Sequence, residues 1–437
     1  METKKSSNSL SLPKLPMNIV DLDIPSSLVE DLVLRRLYTR TRDSVRSLSN
    51  SLKVSVPVVN SVFQDLRQKS FFEIITVEDN DYIFTLSETG RNYASKRFQI
   101  SHYSGPAPVS VNDYSKVVRK QASRISLHRS ELKDALSDLV LPDRFLDQLG
   151  PALLSQSSLF LYGPTGNGKT SIAERLSRVY QSLVLIPYAV EYDGQVIILY
   201  DPAAHQRIDA NADIDPRYVL CRRPCILVGG ELEPSMLELK LDETTGIYSA
   251  PLQMKANNGT LVIDDFGRQI IEPRYLLNRW IVPLDRRVDY LTLRYGIKFE
   301  MPFEIFVVFA TNLNPSDLAD EAFLRRIKNK IYVEPTDSDV FDEIFNRIIA
   351  QKGIHSENSC ASFLRQLCQD MGEGVLRACY PGDILNILEC ISAYEGKPVE
   401  LNELSLERAA SLYFTKVMNV TGDQSVNAGQ YGAGVDT

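Results

Sequence analysis

The sequence contains little cysteine and histidine, and this scarcity excludes several kinds of site. Its 437 residues include six cysteines and four histidines. Six cysteines in so long a chain do not form the dense disulfide framework of small secreted domains. Cys221 and Cys225 are separated by three residues, but no second cysteine pair or group of histidines lies nearby to complete a zinc site. We therefore expect six reduced thiols, as in a cytosolic protein.

Long hydrophobic runs and an excess of positive charge are also missing. No apolar run approaches the roughly 20 residues that a membrane-spanning helix needs. Residues 1–9 lack the apolar region of a secretory signal. The net charge of -8 excludes a nucleic-acid protein defined by bulk charge, although a local basic face remains compatible with it. We expect a soluble, cytoplasmic protein with no membrane insertion.

One stretch of the chain does carry a phosphate-binding pattern. An apolar strand at 159–162 leads into a segment that fits G-x-x-x-x-G-K-[ST] and opens a helix, which is the context a P-loop needs. Its glycines let backbone N–H groups turn inward around an anion, and its lysine neutralises the β- and γ-phosphates. The alternative is a glycine-rich turn that binds nothing. We predict ATP binding by Gly163, Pro164, Thr165, Gly166, Asn167, Gly168, Lys169, Thr170 and Ser171.

A second apolar strand, beginning at Thr260, ends in two carboxylates. We expect Asp264 to hold Mg²⁺ opposite the Thr170 hydroxyl, because both supply the oxygen ligands that this ion prefers. Asp265 would polarise the attacking water. Many ATPases carry glutamate at this position, so the shorter Asp265 requires a closer water or gives slow turnover. A kinase reading of residues 265–267 fails because no H-R-D loop accompanies them.

A third strand, at 303–309, leads to Asn312. An amide at that strand end would lie between the P-loop strand and the strand of Asp264. There it can hold the attacking water or sense the γ-phosphate. The alternative is that Asn312 only forms a turn at the end of its strand.

Length and composition indicate two or three domains of an ordinary globular protein, since 44% of residues are hydrophobic and 24% are charged. Residues 21–100 read as three helices, two strands joined by a turn at 78–81, and a helix. This order resembles a winged helix-turn-helix module. We predict a disordered leader at 1–20, that module at 21–100, a linker at 101–115, an α/β core at 116–335 with an insertion at 201–258, a helical domain at 336–420 and a disordered tail at 421–437.

The charge of residues 21–100 bears on whether this module binds DNA. The segment holds eleven Lys or Arg and eleven Asp or Glu, and a net charge of zero gives little affinity from counterion release. The third helix offers Asn60, Gln64 and Arg67 for base contacts. The turn at 78–81 is acidic, however, where a wing would approach phosphate. We favour protein docking, with DNA binding as the alternative.

The order of motifs resembles the AAA+ superfamily: a P-loop, Asp264 with Asp265, Asn312, and Arg325 with Arg326 before the next strand. In that family such an arginine reaches the γ-phosphate bound to a neighbouring subunit. Arg326 matches that arginine best and Arg325 second, with a surface salt bridge as the alternative role. The resemblance implies an α/β fold, a Mg²⁺-dependent ATP hydrolase and a homo-oligomeric ring, expected to be a hexamer.

Four helical segments follow, at 338–351, 357–370, 382–395 and 402–418, and this pattern resembles the α-helical lid of AAA+ proteins. The family places a second sensor arginine at the start of the third lid helix. Gly382 stands there in this chain. Arg377 is a substitute from the preceding turn, so the coupling of hydrolysis to the lid stays open.

Four further stretches, at 103–109, 229–232, 263–269 and 277–284, look like a bacterial AAA+ group with a winged-helix front end. The similarity to MoxR-type remodelling ATPases is looser. These resemblances imply that ATP turnover remodels or moves a protein client, which docks on residues 21–100 or 201–258. The alternatives are a DNA-associated ATPase and a nucleotide-gated scaffold with little turnover.

Overall fold

The computed structural model describes residues 13–414, apart from 123–126, 181, 210–213, 319–320, 356–358, 373 and the side chain of residue 322. Most of the predicted leader and the whole of the predicted tail lie outside these residues. The chain divides into two compact units, Met1–Glu334 and Pro335–Thr437. All six cysteines are free thiols, as predicted. Within the described part of the chain, no helix is long and apolar enough to cross a membrane.

The first unit begins with the predicted succession of three helices, a hairpin and a helix. Ser44 and Ser87 cap the second and fourth helices through their hydroxyls, and Pro57 lies in the first turn of the third. The strands β1 (Asp43–Ser44), β2 (Phe72–Glu78) and β3 (Asp81–Leu86) form an antiparallel sheet of order β1-β3-β2. The helices are α1 (Ser26–Thr39), α2 (Val45–Leu52), α3 (Val56–Gln68) and α4 (Glu88–Ile100).

The rest of this unit alternates short strands and helices. Its helices are α5 (Val111–Gln121), α6 (Arg129–Ala135), α7 (Asp143–Leu154), α8 (Lys169–Arg175), α9 (Leu252–Lys255), α10 (Pro273–Arg279), α11 (Ile281–Arg286), α12 (Pro315–Leu318) and α13 (Glu321–Leu324). Its strands are β4 (Val109–Ser110), β5 (Leu159–Tyr162), β6 (Leu183–Pro187), β7 (Ala189–Tyr192), β8 (Gln195–Ile198), β9 (Tyr218–Arg222), β10 (Cys225–Val228), β11 (Lys240–Asp242), β12 (Ile247–Ser249), β13 (Thr260–Ile263), β14 (Val288–Thr292), β15 (Lys298–Pro302), β16 (Phe306–Thr311) and β17 (Asn329–Tyr332).

A parallel sheet of order β10-β13-β16-β5-β17 forms the centre of the unit. Its strands are continuous apolar runs without alternation; Phe160, Val262 and Val308 are fully buried. Such runs are typical of parallel sheets, which helices cover on both faces. The carboxyl ends of all five strands therefore meet at one edge. β10 belongs to this sheet although it lies within the range predicted as an insertion, 201–258.

A second, mixed sheet of order β11-β12-β8-β7-β4 lies beside it, with two-stranded ribbons β6-β9 and β14-β15. Ala189 of β7 and Val196 of β8 belong to the same buried cluster as the apolar side chains of α1, α2 and α3. Residues 20–100 therefore share a hydrophobic core with this sheet and are not joined to it by a flexible linker alone.

The second unit consists of four helices, α14 (Ser338–Lys352), α15 (Cys360–Met371), α16 (Tyr380–Glu395) and α17 (Glu403–Tyr413). These helices correspond to the four predicted segments, of which residues 357–358 and 415–418 lie outside the described residues. Asp337 caps α14 by accepting a hydrogen bond from the Val340 N–H at 2.9 Å. Gly353 and Gly396 end α14 and α16 in the left-handed conformation. The core is built from buried side chains such as Phe341, Leu364, Ile384 and Leu406.

Candidate nucleotide site

Three neighbouring strands of the parallel sheet bring the predicted site residues to one edge. β16 pairs with β5 on one side, Thr311 opposite Tyr162, and with β13 on the other, Phe309 opposite Ile263. Asn312, which follows β16, therefore lies between the P-loop and the strand that leads to Asp264. This predicted placement is confirmed by the strand order.

The P-loop connects β5 to α8 through glycines with positive φ. The φ angles are 142° at Gly163 and 79° at both Gly166 and Gly168. A Cβ at Gly163 would come within 2.4 Å of the Val333 carbonyl oxygen, so the close approach of β17 requires glycine there. Asn167 is buried and donates to the Pro164 carbonyl at 3.4 Å.

Lys169 is the buried cation of this loop, with 9% of the residue exposed. Its Nζ donates to the carbonyl oxygens of Gly163 and Pro164, each at 2.8 Å. Burial lowers the pKa of Lys169, while the nearby Asp264 and Asp265 act in the opposite direction. These contacts hold one positive charge inside the turn. Thr165 is exposed at the loop, and Ser171 lies within the first turn of α8.

Thr170 and Asp264 meet directly. The Thr170 hydroxyl donates to Asp264 Oδ2 at 2.8 Å, and the Asp265 N–H donates to Asp264 Oδ1 at 3.0 Å. Asp265 has φ 47° and is exposed, so its side chain is available at the rim of the site. Aspartate is among the non-glycine residues that tolerate this left-handed conformation best.

Gln269 fixes the loop after β13 and was not predicted from the sequence. Its Nε2 donates to the Asp264 carbonyl at 2.6 Å, and its Oε1 accepts from the Gly267 N–H at 2.8 Å. The amide therefore ties the two ends of the segment that carries Asp265. No linear motif marks such a residue, because its role depends on how the loop folds.

Asn312 carries a buried oxygen, Oδ1, for which the described residues supply no hydrogen-bond partner. The preceding residue is held firmly, since the Thr311 hydroxyl donates to the Phe266 carbonyl at 2.6 Å. A buried unpaired acceptor costs about 1–3 kcal/mol. Such groups are rare in folded proteins, and an acceptor kept for a water or ligand is one explanation for them.

The oxygen ligands at this edge fit Mg²⁺ bound together with phosphates. Among the described residues, no group of three or more His, Cys, Asp or Glu side chains is placed to hold a metal by itself. Mg²⁺ usually takes one or two carboxylates and completes its octahedron with phosphate oxygens and waters. The pair formed by the Thr170 hydroxyl and the Asp264 carboxylate meets that requirement.

Arg325 and Arg326 are not brought to this edge. They precede β17, and the P-loop follows β5, which runs parallel to β17 with Asn329 opposite Leu159. Four-residue strands place the two ends about 13 Å apart at roughly 3.3 Å per residue. Arg326 Nε donates to Asp285 Oδ2 at 2.8 Å, and its side chain is 20% exposed. Residue spacing alone did not predict this ion pair.

The fold and the site define an α/β protein that carries a P-loop between a parallel strand and a helix. A domain of unknown function, DUF8689, matches residues 337–412, which coincide with the four helices of the second unit. This match covers less than half of the chain. No curated protein matches the chain.

Several solved structures resemble the chain weakly. The Holliday junction branch migration motor RuvB of Thermotoga maritima has a TM-score of 0.34 and 12% identity, covering 67% of this chain and 72% of that chain. Its P216G mutant has a TM-score of 0.35 and 12% identity, covering 66% and 71%. NtrX from Brucella abortus has a TM-score of 0.39 and 15% identity, covering 74% and 66%. At these values the likenesses define neither an activity nor a partner for this chain.

Proposed function

We propose that the protein is a Mg²⁺-dependent ATP hydrolase of AAA+ type. The observation that carries this proposal is the meeting of three strand ends at one edge of the parallel sheet. They bring together Lys169, the Thr170–Asp264 pair and Oδ1 of Asn312, which has no hydrogen-bond partner among the described residues. Phosphoryl transfer requires a positive charge near the phosphates, oxygen ligands for a metal ion and a polar group that positions water.

Each residue has a distinct part in this proposal. Lys169 neutralises phosphate charge, and Thr170 with Asp264 holds Mg²⁺. When bound, that ion supplies charge to the β- and γ-phosphate oxygens. Asp265 accepts a hydrogen bond from the attacking water and withdraws its proton, and the amide of Asn312 fixes the position of that water. The two hydrogen bonds of the Gln269 amide fix the loop that holds Asp265 at the rim of the site.

We further propose that the active sites are shared between copies of the chain in a ring, expected to be a hexamer. Arg326 and the P-loop lie at opposite edges of the same sheet, so Arg326 cannot complete the site of its own subunit. In a ring, the amino edge of the sheet in one subunit would face the carboxyl edge in the next subunit. Arg326 would then lie beside the γ-phosphate bound by that neighbouring subunit. A planar guanidinium suits that role because it contacts two phosphate oxygens at once.

ATP hydrolysis measured against protein concentration, with the mass of the protein recorded with and without ATP, tests the proposal. We expect the specific activity to rise as the mass increases. Lys169→Ala should lose both ATP binding and hydrolysis, while the exposed Lys240→Ala on β11 should lose neither. A monomer with constant specific activity would contradict the shared site. Tight ATP binding without turnover would favour the scaffold, for which the short Asp265 and Gly382 are the supporting observations.

A protein client is favoured over DNA by the surface of β2. This strand pairs only with β3 among the described strands, and Ile74, Ile75 and Val77 on it are 38%, 52% and 54% exposed. Exposed apolar side chains on an edge strand favour the addition of an extended peptide. The acidic turn at 78–81 repels phosphate and favours a basic peptide.

Fluorescence anisotropy of labelled duplex DNA with the full chain separates the two kinds of partner. We expect the full chain not to bind the duplex DNA, even at low ionic strength. Binding that weakens steeply as salt is added, and that is lost in Arg67→Ala, would establish the DNA-associated alternative. We also propose a cytoplasmic location, in keeping with the six free thiols.

A further inference from the structure

A cavity of about 240 Å³ opens at the amino edge of the parallel sheet, opposite the P-loop. It lies between the start of β5, the end of α11 and the segment that precedes β17. Four cationic side chains line it, and the sequence motifs assign only two of them. These residues are Arg287, Arg325, Arg326 and Lys328, and Asp285 is the carboxylate among the lining residues.

The charges around this cavity are poorly compensated. Asp285 pairs with Arg326 at 2.8 Å. Arg287 donates to the carbonyl oxygens of Gln156 and Ile305, which orient its guanidinium without neutralising it. Of the carboxylates that the structure describes, none lies within 4.0 Å of the cationic nitrogens of Arg287, Arg325 or Lys328.

A further carboxylate, Glu304, lies beyond Arg287 and lines a smaller neighbouring cavity with it. Burial raises the pKa of Glu304, while Arg287 and Arg119 act in the opposite direction. The larger cavity therefore keeps an excess of positive charge inside a concave surface. Low-dielectric walls around charges of one sign concentrate oppositely charged ligands.

We propose that this cavity binds a free phosphate-type anion, inorganic phosphate or diphosphate, at a site separate from the P-loop. The guanidinium of an arginine donates hydrogen bonds to two oxygens of a phosphoryl group at once, and Lys328 adds a point charge. A concave site of this volume suits a small tetrahedral anion better than a protein carboxylate, which would approach from a flat surface. Anion binding at this site needs no ATP turnover, and the site shares Arg326 with the proposed ATPase.

Titration calorimetry with sodium diphosphate tests this site on the full chain carrying Lys169→Ala, which removes the P-loop cation. We expect one saturable binding event in that background. Adding Arg325→Gln and Lys328→Gln should weaken it at least tenfold, because two charge-assisted contacts are lost. Both side chains are exposed, so their replacement should leave the melting temperature unchanged. Lys240→Gln in the same background is the matched control and should bind like its parent.

Each outcome decides the proposal. Loss of all diphosphate binding in Lys169→Ala alone would place the anion at the P-loop and overturn it. Unchanged binding after Arg325→Gln and Lys328→Gln would do the same, because the anion would then lie elsewhere. The first titration contains no nucleotide. Diphosphate binding in it would therefore show that the cavity takes a free anion and does not depend on a nucleotide bound to a second copy.

Discussion

Asp265 combines a left-handed backbone with an exposed carboxylate at the rim of the proposed site. Asp265→Asn keeps both the shape and the backbone preference, because asparagine tolerates this conformation equally well. We therefore predict that kcat falls about 10²–10⁴-fold, the usual contribution of a general base. The dissociation constant for ATP should stay within about threefold of its original value.

Asp265→Glu is the matched control for this prediction, since it restores a carboxylate one methylene further out. It should retain turnover, as the glutamate of many ATPases does. Steady-state hydrolysis and equilibrium ATP binding measure the two quantities separately. Unchanged kcat in Asp265→Asn would remove this residue from the mechanism.

Asn312 allows function to be separated from stability. Its Oδ1 is buried without a partner among the described residues, so removing the amide relieves a desolvation cost. We predict that Asn312→Ala leaves the melting temperature unchanged or slightly higher, while kcat falls about 10²-fold or more through loss of an oriented polar group. Thermal unfolding and steady-state hydrolysis are the two measurements. A variant that melts earlier and hydrolyses ATP normally would assign Asn312 to the turn alone.

At the scale of the residue, contiguous motifs were readable from the sequence and contacts created by folding were not. Lys169, Thr170 and Asp264 stand in patterns with fixed spacing, and the structure joins Thr170 to Asp264. The roles of Gln269 and Asp285 follow only from the hydrogen bonds that they make in the folded chain. Neither occupies a position that spacing or residue type would single out.

At the scale of the elements, a buried ion pair ties the insertion to the chain before α5. Arg217 and Asp215 are 3% and 1% exposed; Nη2 of Arg217 lies 2.8 Å from Asp215, and its Nη1 donates to the Pro108 carbonyl at 3.2 Å. Asp215→Ala leaves a buried guanidinium without its counterion, which costs about 3–5 kcal/mol. We predict a corresponding fall in the free energy of unfolding, measured in urea.

The same chain offers a matched pair at the same spacing on its surface. Arg207 and Asp209 also lie two residues apart, but their side chains are 58% and 86% exposed. Asp209→Ala should therefore leave the urea midpoint unchanged, because solvent and salt screen exposed pairs. Equal effects of Asp209→Ala and Asp215→Ala would show that the buried pair is not what stabilises this region.

Helices with clear periodicity were predicted well, and strands that depend on distant partners were not. The helices of the second unit carry regular apolar spacing with glycines at their ends, and they lie where the sequence indicated. β4 has two residues and pairs with β7, opposite Val190, about 80 residues along the chain. β10 is a run of four apolar residues that spacing alone cannot assign to a buried parallel sheet.

At the scale of the whole molecule, the residues proposed for one reaction lie at two ends of the parallel sheet. The P-loop lies at the carboxyl edge of the parallel sheet and Arg326 at the amino edge. Within one subunit, Arg326 therefore does not reach the P-loop. Under the proposed function, active sites form only where two copies meet, so the activity of the assembly depends on complementary subunits.

Mixing two inactive variants, Lys169→Ala and Arg326→Ala, tests this central claim most directly. Arg326→Ala should still bind ATP, while Lys169→Ala still offers its arginine. We predict negligible hydrolysis by either variant alone and a clear recovery of the rate in the mixture, where some interfaces pair an intact loop with an intact arginine. A mixture as inactive as its components, or an Arg326→Ala protein as active as the original, would contradict the shared site.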